Sequence, residues 1–364
     1  MITLFCIRPK GFNVGNDAIF IGLKHFLDEA FGQVVNLISV PATSRYESQA
    51  KAGLTAGTVH EINQYGHGVI VGGGNLYENG ELEVNLNALA ALETPLMLFS
   101  LSRGRIYNRR RELVDRTDVM TDQIVLALNR KAKYSLARDR ATQNYLQSIG
   151  CKHSMVAGCP TIFLDHLAER LPELHERDRA GILLSIRNPL LMNIPLERQS
   201  QVGEDIRRMI KFLKGEGHSN IRFLCHDQRD IAFAASFSGM EYIYSGDIYI
   251  YLALLRSCDL NISYRLHATL PCLSLGTPTI KISYDERALS LMDTIGMGGW
   301  NIDMVRGGDV VEEVINRYRR LNELAKLRAE VQSRWNELYA NMAGAFRQFS
   351  DDVLVYRDGV TPGS

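Results

Sequence analysis

Residues 260–283, LNISYRLHATLPCLSLGTPTIKIS, are the most informative part of this chain because two kinds of periodicity alternate within them. The apolar runs Leu260–Tyr264 and Thr279–Ser283 predict β-strands, and Thr269–Leu275 between them predicts a short helix. Short apolar runs that alternate with helical segments are typical of parallel βαβ units. This stretch therefore predicts two parallel strands joined by a helix.

The same alternation extends over most of the chain, in two series. The first series predicts strands at Ile2–Arg8, Val34–Val40, Gly68–Val71, Pro95–Leu101, Tyr134–Arg138 and Met155–Ala157. The second series precedes the quoted stretch with strands predicted at Gly181–Ile186, Ile221–Cys225 and Glu241–Tyr244. Its predicted helices lie at Glu197–Leu213, Gln228–Phe237 and Asp247–Cys258.

Helical periodicity is clearest after the first strand and near the end of the chain. A helix follows the first strand, and Asn16 or Asp17 can cap its N-terminus. From Asp309 to about Phe349, a mixture of Arg, Glu and Leu predicts one or two amphipathic helices. Such a long closing segment can cross back and brace the first series.

A polar stretch from Ala168 to Arg179 separates the two series and predicts a domain boundary. We expect an N-terminal domain over residues 1–170 and a C-terminal domain over residues 180–364. The predicted fold class is α/β, with two Rossmann-like domains that face a cleft. Because open parallel sheets bind ligands at the carboxyl ends of their strands, we expect the chemistry in the loops that follow strands.

The composition of the 364-residue chain, 46% hydrophobic and 23% charged, is that of a globular enzyme. Lys plus Arg equals Asp plus Glu at 41 each, so the net charge attracts neither nucleic acid nor an anionic membrane, and local groups must hold any bound anion. The chain shows no secretion signal and no apolar run of about 18 residues, which predicts a cytoplasmic protein. The six cysteines lack C-x-x-C spacing and are expected to be buried free thiols in a reducing compartment.

Arg265 and His267 follow the strand Leu260–Tyr264 and stand two residues apart. At a strand end, this spacing can aim both side chains into one crevice, where the next helix adds backbone N–H donors. A guanidinium can hold a phosphate or carboxylate there, and an imidazole can move a proton near neutral pH. Spacing alone leaves the alternative open, a salt-bridged arginine beside a structural histidine.

Two glycine-containing loops follow other predicted strands. Residues 13–17, NVGND, come after the first strand, and Gly15 allows the backbone to approach a ligand closely. Capping of the following helix is the simpler explanation of the polar residues in this loop. Residues 72–75, GGGN, form a second turn, but Tyr77 stands where the third glycine of G-x-G-x-x-G would be. A dinucleotide-binding fingerprint is therefore excluded, and so is a P-loop, because no Gly-Lys-Ser/Thr occurs.

Further arginines also follow predicted strands. Arg138 is either directed into the cleft or paired with Asp139 at the start of a helix, and Arg287 can complete an anion pocket with Arg265. A cluster of arginines either lines the cleft or forms a solvated face; its members are Arg103, Arg105, Arg109, Arg110 and Arg111. Histidines without a partner at ligand spacing are expected to be structural or exposed, such as His25, His60 and His226.

Taken in order, these motifs resemble the polysaccharide pyruvyl transferase family. The C-terminal part of the resemblance consists of Tyr264–Ala268, Gly276–Pro278 and Ser283–Asp285. The upstream part consists of residues 13–19, Gly72–Gly74, Ser135–Asp139 with the helix that follows it to Gly150, and Gly158–Pro160. The resemblance extends over residues 2–297. Because several motifs occur in the same order as in the family, the resemblance is more specific than any single motif would be.

The resemblance implies a fold similar to the two-domain GT-B glycosyltransferases, with the acceptor on the N-terminal domain and the donor on the C-terminal domain. It also implies transfer of the enolpyruvyl group of phosphoenolpyruvate to a sugar, which forms a pyruvate ketal. In that scheme His267 moves a proton, Arg265 binds the anion, and Arg138 binds phosphate or carboxylate. Other residues expected at the substrate site are Arg287, Tyr284, Asn13, Gly15, Asp17, Gly73, Gly74 and Asn75.

The same resemblance implies the partners of the protein. Phosphoenolpyruvate is a co-substrate, and the scheme requires no metal and no other cofactor. The acceptor is a glycan precursor of a cell-surface polysaccharide, such as an exopolysaccharide or cell-wall polymer, carried on a lipid or a nucleotide. A lipid carrier would allow brief contact with the inner membrane, and no nucleic acid is involved.

Three departures from the family pattern predict an altered acceptor or donor. The family usually has Gly-Asp where this chain has Gly15-Asn16, and lysine where it has Arg287. Residues Ser100–Arg111 also lack the family's Gly-Ile-Gly-Pro-like turn. Two other functions remain open at this point: a GT-B-type glycosyltransferase that uses a nucleotide sugar, and a non-catalytic protein that binds a glycan or an anion.

Overall fold

The computed structural model describes residues 1–11, 13–45, 51–78 and 80–359. It contains two six-stranded parallel sheets, one from each series of predicted strands, with helices between consecutive strands. The α/β class predicted from the sequence is therefore confirmed. The six cysteines are free and buried, as predicted. No helix in the described ranges has the length and apolarity needed to span a lipid bilayer.

The first sheet lies in the N-terminal half of the chain. Its strands are β1 (Ile2–Arg8), β2 (Val35–Pro41), β3 (Gly68–Gly74), β4 (Leu96–Leu101), β7 (Tyr134–Ala137) and β8 (Met155–Val156), and a separate antiparallel hairpin contains β5 (Ile106–Tyr107) and β6 (Leu113–Val114). The order in the sheet is β2-β1-β3-β4-β7-β8. Strands β3 and β4 are buried along their whole length, as near-continuous apolar runs in parallel sheets usually are.

The second sheet has the strand order of a Rossmann fold. Its strands are β9 (Ile182–Ile186), β10 (Ile221–Cys225), β11 (Glu241–Tyr244), β12 (Leu260–Ser263), β13 (Thr279–Ser283) and β14 (Ile302–Asp303). They are arranged in the order β11-β10-β9-β12-β13-β14, so the direction of winding reverses between β9 and β12. In the first sheet, the reversal falls between β1 and β3. Ligands of open α/β sheets bind at such switch points.

The helices begin and end close to the predicted limits, with two corrections. They are α1 (Val14–Phe31), α2 (Ala56–Tyr65), α3 (Leu86–Ala91), α4 (Asp122–Lys131), α5 (Arg140–Ser148), α6 (Leu196–Gly215), α7 (Ile231–Ala235), α8 (Ile248–Ser257), α9 (Leu266–Leu275), α10 (Glu286–Thr294), α11 (Val310–Arg319), α12 (Leu321–Glu330) and α13 (Gln332–Arg357). The single helix predicted over Gln228–Phe237 is wrong, since a 3₁₀ turn at Gln228–Asp230 precedes the short α7.

The second correction concerns the start of α1. Neither Asn16 nor Asp17 caps this helix; the cap is Asn13, whose Oδ1 accepts a hydrogen bond from the Gly15 N–H at 3.0 Å. Asp17 instead lies within the first turn and pairs with Arg8 Nη1 at 3.0 Å. The helix therefore begins earlier than predicted, and its first turn lies directly after β1.

The closing segment forms three helices where one or two were predicted, because short breaks at Arg320 and Val331 interrupt it, and the last helix, α13, packs on the N-terminal half. The Phe346 ring stacks on Phe26 of α1 at 5.6 Å and meets Phe99 of β4 edge-on at 5.3 Å. Phe346 is fully buried. The helical structure of the closing segment and its return to the N-terminal half are therefore as expected. Helix α13 covers the N-terminal sheet although its residues belong to the range 180–364.

We expect Phe346→Ala to lower the free energy of unfolding by about 3–5 kcal/mol, because it removes a large buried ring and leaves a cavity. Urea unfolding followed by circular dichroism measures this loss. Gln348→Ala, an exposed position in the same helix, serves as the control and should change stability by less than about 0.5 kcal/mol. A loss below about 1 kcal/mol in Phe346→Ala would contradict the packing described for α13.

Candidate active site

The carboxyl ends of the two sheets face each other, and polar contacts hold them together. After β1, the Val14 N–H donates a hydrogen bond to the carbonyl of His226, which follows β10 in the other half, at 3.2 Å. On the opposite side, the backbone N–H of Arg105 donates to Glu286 at 2.8 Å and the Tyr107 hydroxyl donates to Asp303 at 2.5 Å. The crevice lies between these two sets of contacts, where Gly15 of the N-terminal half meets His267 of the C-terminal half.

Two histidine rings lie on either side of Gly15. His226 and His267 are nearly parallel, at 19°, with ring centroids 6.3 Å apart. A β-carbon added to Gly15 would overlap with Nε2 of His226 and would lie 2.8 Å from Nδ1 of His267. Glycine is therefore required here by the space that the two rings leave, and both ring nitrogens are directed at the same point of the crevice.

His267 lies in the first turn of α9, where its φ and ψ of −83° and 18° interrupt the helix. Its Nε2 is 3.6 Å from the thiol of the buried Cys159. Burial, followed by the guanidinium groups of Arg138 and Arg265, lowers the pKa of His267 well below its usual value. The imidazole is therefore neutral at pH 7 when no anion occupies the crevice.

His226 was expected to be structural or exposed, and it is buried and hydrogen-bonded as a structural histidine is; what the sequence did not predict is that it lies beside His267. It is 2% exposed, and its Nδ1 is hydrogen-bonded to the hydroxyl of the buried Tyr251 at 2.7 Å. Burial and the charge of Arg265 lower its pKa well below the usual value. The sequence carries no signal for this placement, because His226 meets His267 only through the pairing of strands distant in the chain.

Arg138 is the least compensated cation of the site. Only 3% of the residue is exposed, and within the described part of the chain its guanidinium makes no hydrogen bond or ion-pair contact. The neighbouring Asp139 feels the charge of Arg138 but makes no ion-pair contact with it: its Oδ1 accepts hydrogen bonds from Thr142 and from Ser290 of α10, and its Oδ2 has no hydrogen-bond partner among the described residues. A buried guanidinium without a partner carries a large desolvation cost, which a bound anion would offset.

Arg265 shares two buried carboxylates with a residue that the sequence analysis missed, Arg187. Arg265 Nη2 lies 3.1 Å from Asp230 and 3.8 Å from Asp227, and Arg187 Nη1 lies 3.4 Å and 3.6 Å from the same two groups. Arg229 also binds Asp227, through its Nε at 2.9 Å. Three guanidinium groups therefore surround two carboxylates, which leaves an excess of positive charge at the ends of β9, β10 and β12.

The structure places Arg287 in a different cluster from the one predicted. Its guanidinium is paired with Asp285, through Nε at 3.1 Å, and with the fully buried Glu78 of the N-terminal half, through Nη1 at 3.1 Å. It still acts electrostatically on His267. Tyr284 lies beside the buried Lys281, with the ammonium 5.8 Å from the ring centroid. Arg287 thus joins the two halves next to the crevice.

The remaining predicted residues lie around the N-terminus of α1. Gly73 packs against Ile19 of α1, and Gly74 has a φ of 93° and accepts a hydrogen bond from the Ser102 N–H at 2.8 Å. Asn75 follows in the turn, and its carbonyl accepts the N–H of Glu78 at 3.0 Å. These glycines allow α1 to approach the end of β3 closely, which sets the position of Gly15.

Four of the five arginines in the cluster of residues 103–111 are exposed, as the solvated-face alternative predicts, and two of them also contact the C-terminal half. Arg105 is bound to Glu286 by its backbone and side chain, and Arg111 lies 3.6 Å from Glu197. Arg103 stacks over the ring of Tyr145 at 3.7 Å. The sequence motif predicted the charges, but not the acidic residues of the C-terminal half that they meet.

Comparisons with known proteins show the family and the fold of the chain. The sequence profile of a family described as polysaccharide pyruvyl transferase matches residues 13–286, a range that contains Gly15, Arg138, His226 and Arg265. No curated protein sequence matches the chain significantly.

Several solved structures share the fold at low sequence identity. The UDP-GlcNAc 2-epimerase of Methanocaldococcus jannaschii, in complex with UDP-GlcNAc and UDP, is 15% identical with a TM-score of 0.53 and covers 88% of this chain and 92% of its own. The UDP-GlcNAc 2-epimerase of Neisseria meningitidis is 12% identical with a TM-score of 0.52, covering 96% and 98%. MnaA of S. aureus with UDP is 14% identical with a TM-score of 0.53, covering 99% and 98%. These neighbours confirm a GT-B-like fold of two Rossmann-like domains.

We expect Gly15→Ala to displace the rings of His226 and His267, because the new β-carbon overlaps with His226. Histidine side-chain ¹⁵N NMR spectra of the full chain measure the change as shifted resonances of both residues, assigned with His226→Gln and His267→Gln. Gly57→Ala is the matched control, since a β-carbon at that exposed helical position meets nothing within 4 Å. Unchanged histidine resonances in Gly15→Ala would contradict this geometry.

Proposed function

Since the chain belongs to the polysaccharide pyruvyl transferase family, we propose that it transfers a pyruvyl group from phosphoenolpyruvate to a hydroxyl pair of a sugar, forming a cyclic ketal. The acceptor in this proposal is a precursor of a cell-surface polysaccharide, and the reaction takes place in the cytoplasm. The main support is the buried, unpaired guanidinium of Arg138 next to His267, because a donor with two anionic groups offsets the cost of such a cation.

The proposed reaction needs two proton movements. The first sugar hydroxyl adds to C2 of phosphoenolpyruvate while C3 gains a proton from an acid and becomes a methyl group, and the proton of that hydroxyl restores the acid. The second hydroxyl then displaces the phosphate from C2, which leaves as hydrogen phosphate with the second hydroxyl proton. The net products are the ketal, with its free carboxylate, and inorganic phosphate, so protons and charge balance without an external oxidant or reductant.

In this scheme His267 is the acid that protonates C3. The empty crevice holds His267 in its neutral form, because burial and the nearby guanidinium groups lower its pKa. The phosphate and carboxylate of the donor bring negative charge next to Arg138 and Arg265, which raises the pKa of His267 and favours its protonated form. The donor thus activates its own acid, and the arginines stabilise the charge that develops as phosphate leaves.

The acceptor in this proposal carries its sugar on a nucleotide or a lipid. The epimerase structures contain UDP-GlcNAc and UDP in the same fold, which is compatible with a nucleotide-linked sugar beside the donor. A lipid-linked sugar would bring brief contact with the inner membrane. Phosphoenolpyruvate is the co-substrate, and the scheme assigns no step to a metal.

A binding comparison tests the donor. We expect phosphoenolpyruvate to raise the Tm of the protein and to bind in calorimetry, and Arg265→Ala to weaken this binding about tenfold or more. Arg207→Ala, which removes an exposed charge from α6, should leave the affinity unchanged. Stabilisation by UDP-, GDP- or CMP-sugars without any by phosphoenolpyruvate would overturn the proposal and favour a nucleotide-sugar glycosyltransferase.

The depressed pKa of His267 predicts proton uptake on donor binding. Above about pH 8, about two pH units above the second pKa of a phosphate monoester, free phosphoenolpyruvate is almost fully ionised and carries almost no proton into the complex. Because binding raises the pKa of His267, the affinity for phosphoenolpyruvate should increase as the pH falls through the pKa of the complex. Calorimetry in two buffers of different ionisation enthalpy should show close to one proton taken up by the wild type and none by His267→Gln. Equal uptake in both proteins would show that another group gains the proton.

A further inference from the structure

Arg187 has no role in the scheme above, although it lies at the switch point of the C-terminal sheet. It follows β9, and Arg265 follows β12, the strand that pairs with β9. The two arginines therefore flank the place where the winding of the sheet reverses, and both guanidinium groups contact Asp227 and Asp230. Their proximity follows directly from the strand order.

This pair of arginines has more donors than the surrounding protein uses. Nε of Arg187 and Nε of Arg265 are buried and have no hydrogen-bond partner among the described residues, and Nη2 of Arg265 makes only the ion-pair contacts with Asp230 and Asp227. Burial and the charge of Arg265 hold the pKa of Arg187 below its usual value, as expected for two like charges close together. Unused donors and unbalanced charge together favour an anion with several oxygen atoms.

Arg138 belongs to a different wall of the crevice. It follows β7 in the N-terminal sheet, and it shares no ion-pair partner with Arg187 or Arg265 among the described residues. The two charges that act most strongly on His267 are those of Arg138 and Arg265. His267 therefore lies between two separate cationic sites, one on each half of the molecule.

We propose that the crevice divides the donor between these two sites: Arg187 and Arg265 bind the phosphate, and Arg138 binds the carboxylate. The assignment rests on the function proposed above. A phosphate has two negative charges and three terminal oxygens, which can accept hydrogen bonds from two guanidinium groups. A carboxylate has two oxygens, and one arginine can bind both of them in a bidentate contact. C2 of phosphoenolpyruvate carries both anionic groups and therefore falls between the two sites, and in this proposal its methylene carbon, the third substituent, points toward His267.

The shared carboxylates have a function in this arrangement. Asp227 and Asp230 lie against both Arg187 and Arg265 and offset the repulsion between these two charges, so that both guanidinium groups can face one phosphate. Bound phosphate would receive donors that the two aspartates leave unused. Arg187 is therefore a binding residue for the leaving group, and its side chain reaches the donor rather than the sugar.

Inorganic phosphate and oxalate test the two sites separately, without an acceptor. Calorimetry and competition with phosphoenolpyruvate measure their affinities for the full-length protein. We expect Arg187→Ala to weaken phosphate binding about tenfold or more and to change oxalate binding less than about twofold. Arg138→Ala should have the opposite effect. Arg187→Lys keeps the charge but loses the planar pair of donors, and should weaken phosphate binding to an intermediate degree.

Each outcome bears on one claim. Retained oxalate binding in Arg187→Ala shows that the variant is folded, and Arg207→Ala controls for the loss of one positive charge. If phosphoenolpyruvate binds the wild type but inorganic phosphate does not, or if both fragments depend on the same arginine, the division into two sites is wrong. If phosphoenolpyruvate itself fails to bind the wild type, the proposed function is wrong as well.

Discussion

A buried guanidinium group without a carboxylate in contact costs several kcal/mol of stability, and Arg138 is such a group on one wall of the crevice, while the arginines of the other wall are only partly satisfied. Arg138 has no ion-pair contact among the described residues, and Arg187 and Arg265 keep unused donors despite two nearby aspartates. The packing around them has to hold these side chains in place, since no local salt bridge does so completely. A fold that keeps incompletely paired guanidinium groups buried is suited to binding an anionic ligand.

The rest of the architecture supports this constraint. Two parallel sheets bring their carboxyl ends together, so that loops after β1, β7, β9, β10 and β12 meet in one crevice. The contacts of Arg105 with Glu286 and of Arg287 with Glu78 join the two halves beside it. Helix α13 returns to the N-terminal sheet and buries Phe346 there, which ties the end of the chain to its beginning. Gly15 leaves room for two histidine rings.

The sequence predicts the elements well because each strand and helix depends on local periodicity. Arg138, Arg265 and His267 were also predictable, since each stands where a strand ends, and the structure brings them together. His226 and Arg187 were not, because their positions depend on the order of strands in a sheet, which the sequence does not state. The cap at Asn13 and the pairing of Arg287 with Glu78 were missed for a related reason. Several polar residues could have made each contact, and the three-dimensional surroundings decide which of them does.

A crystal structure of the protein with phosphoenolpyruvate tests the central claim most directly. The claim is that the arginines around His267, whose N–H donors the protein does not fully use, form the donor site. The account predicts phosphate density on Arg187 and Arg265, the carboxylate on Arg138, and the methylene carbon beside His267. Phosphoenolpyruvate bound outside the crevice, or a crevice that stays empty at saturating concentrations, would contradict it.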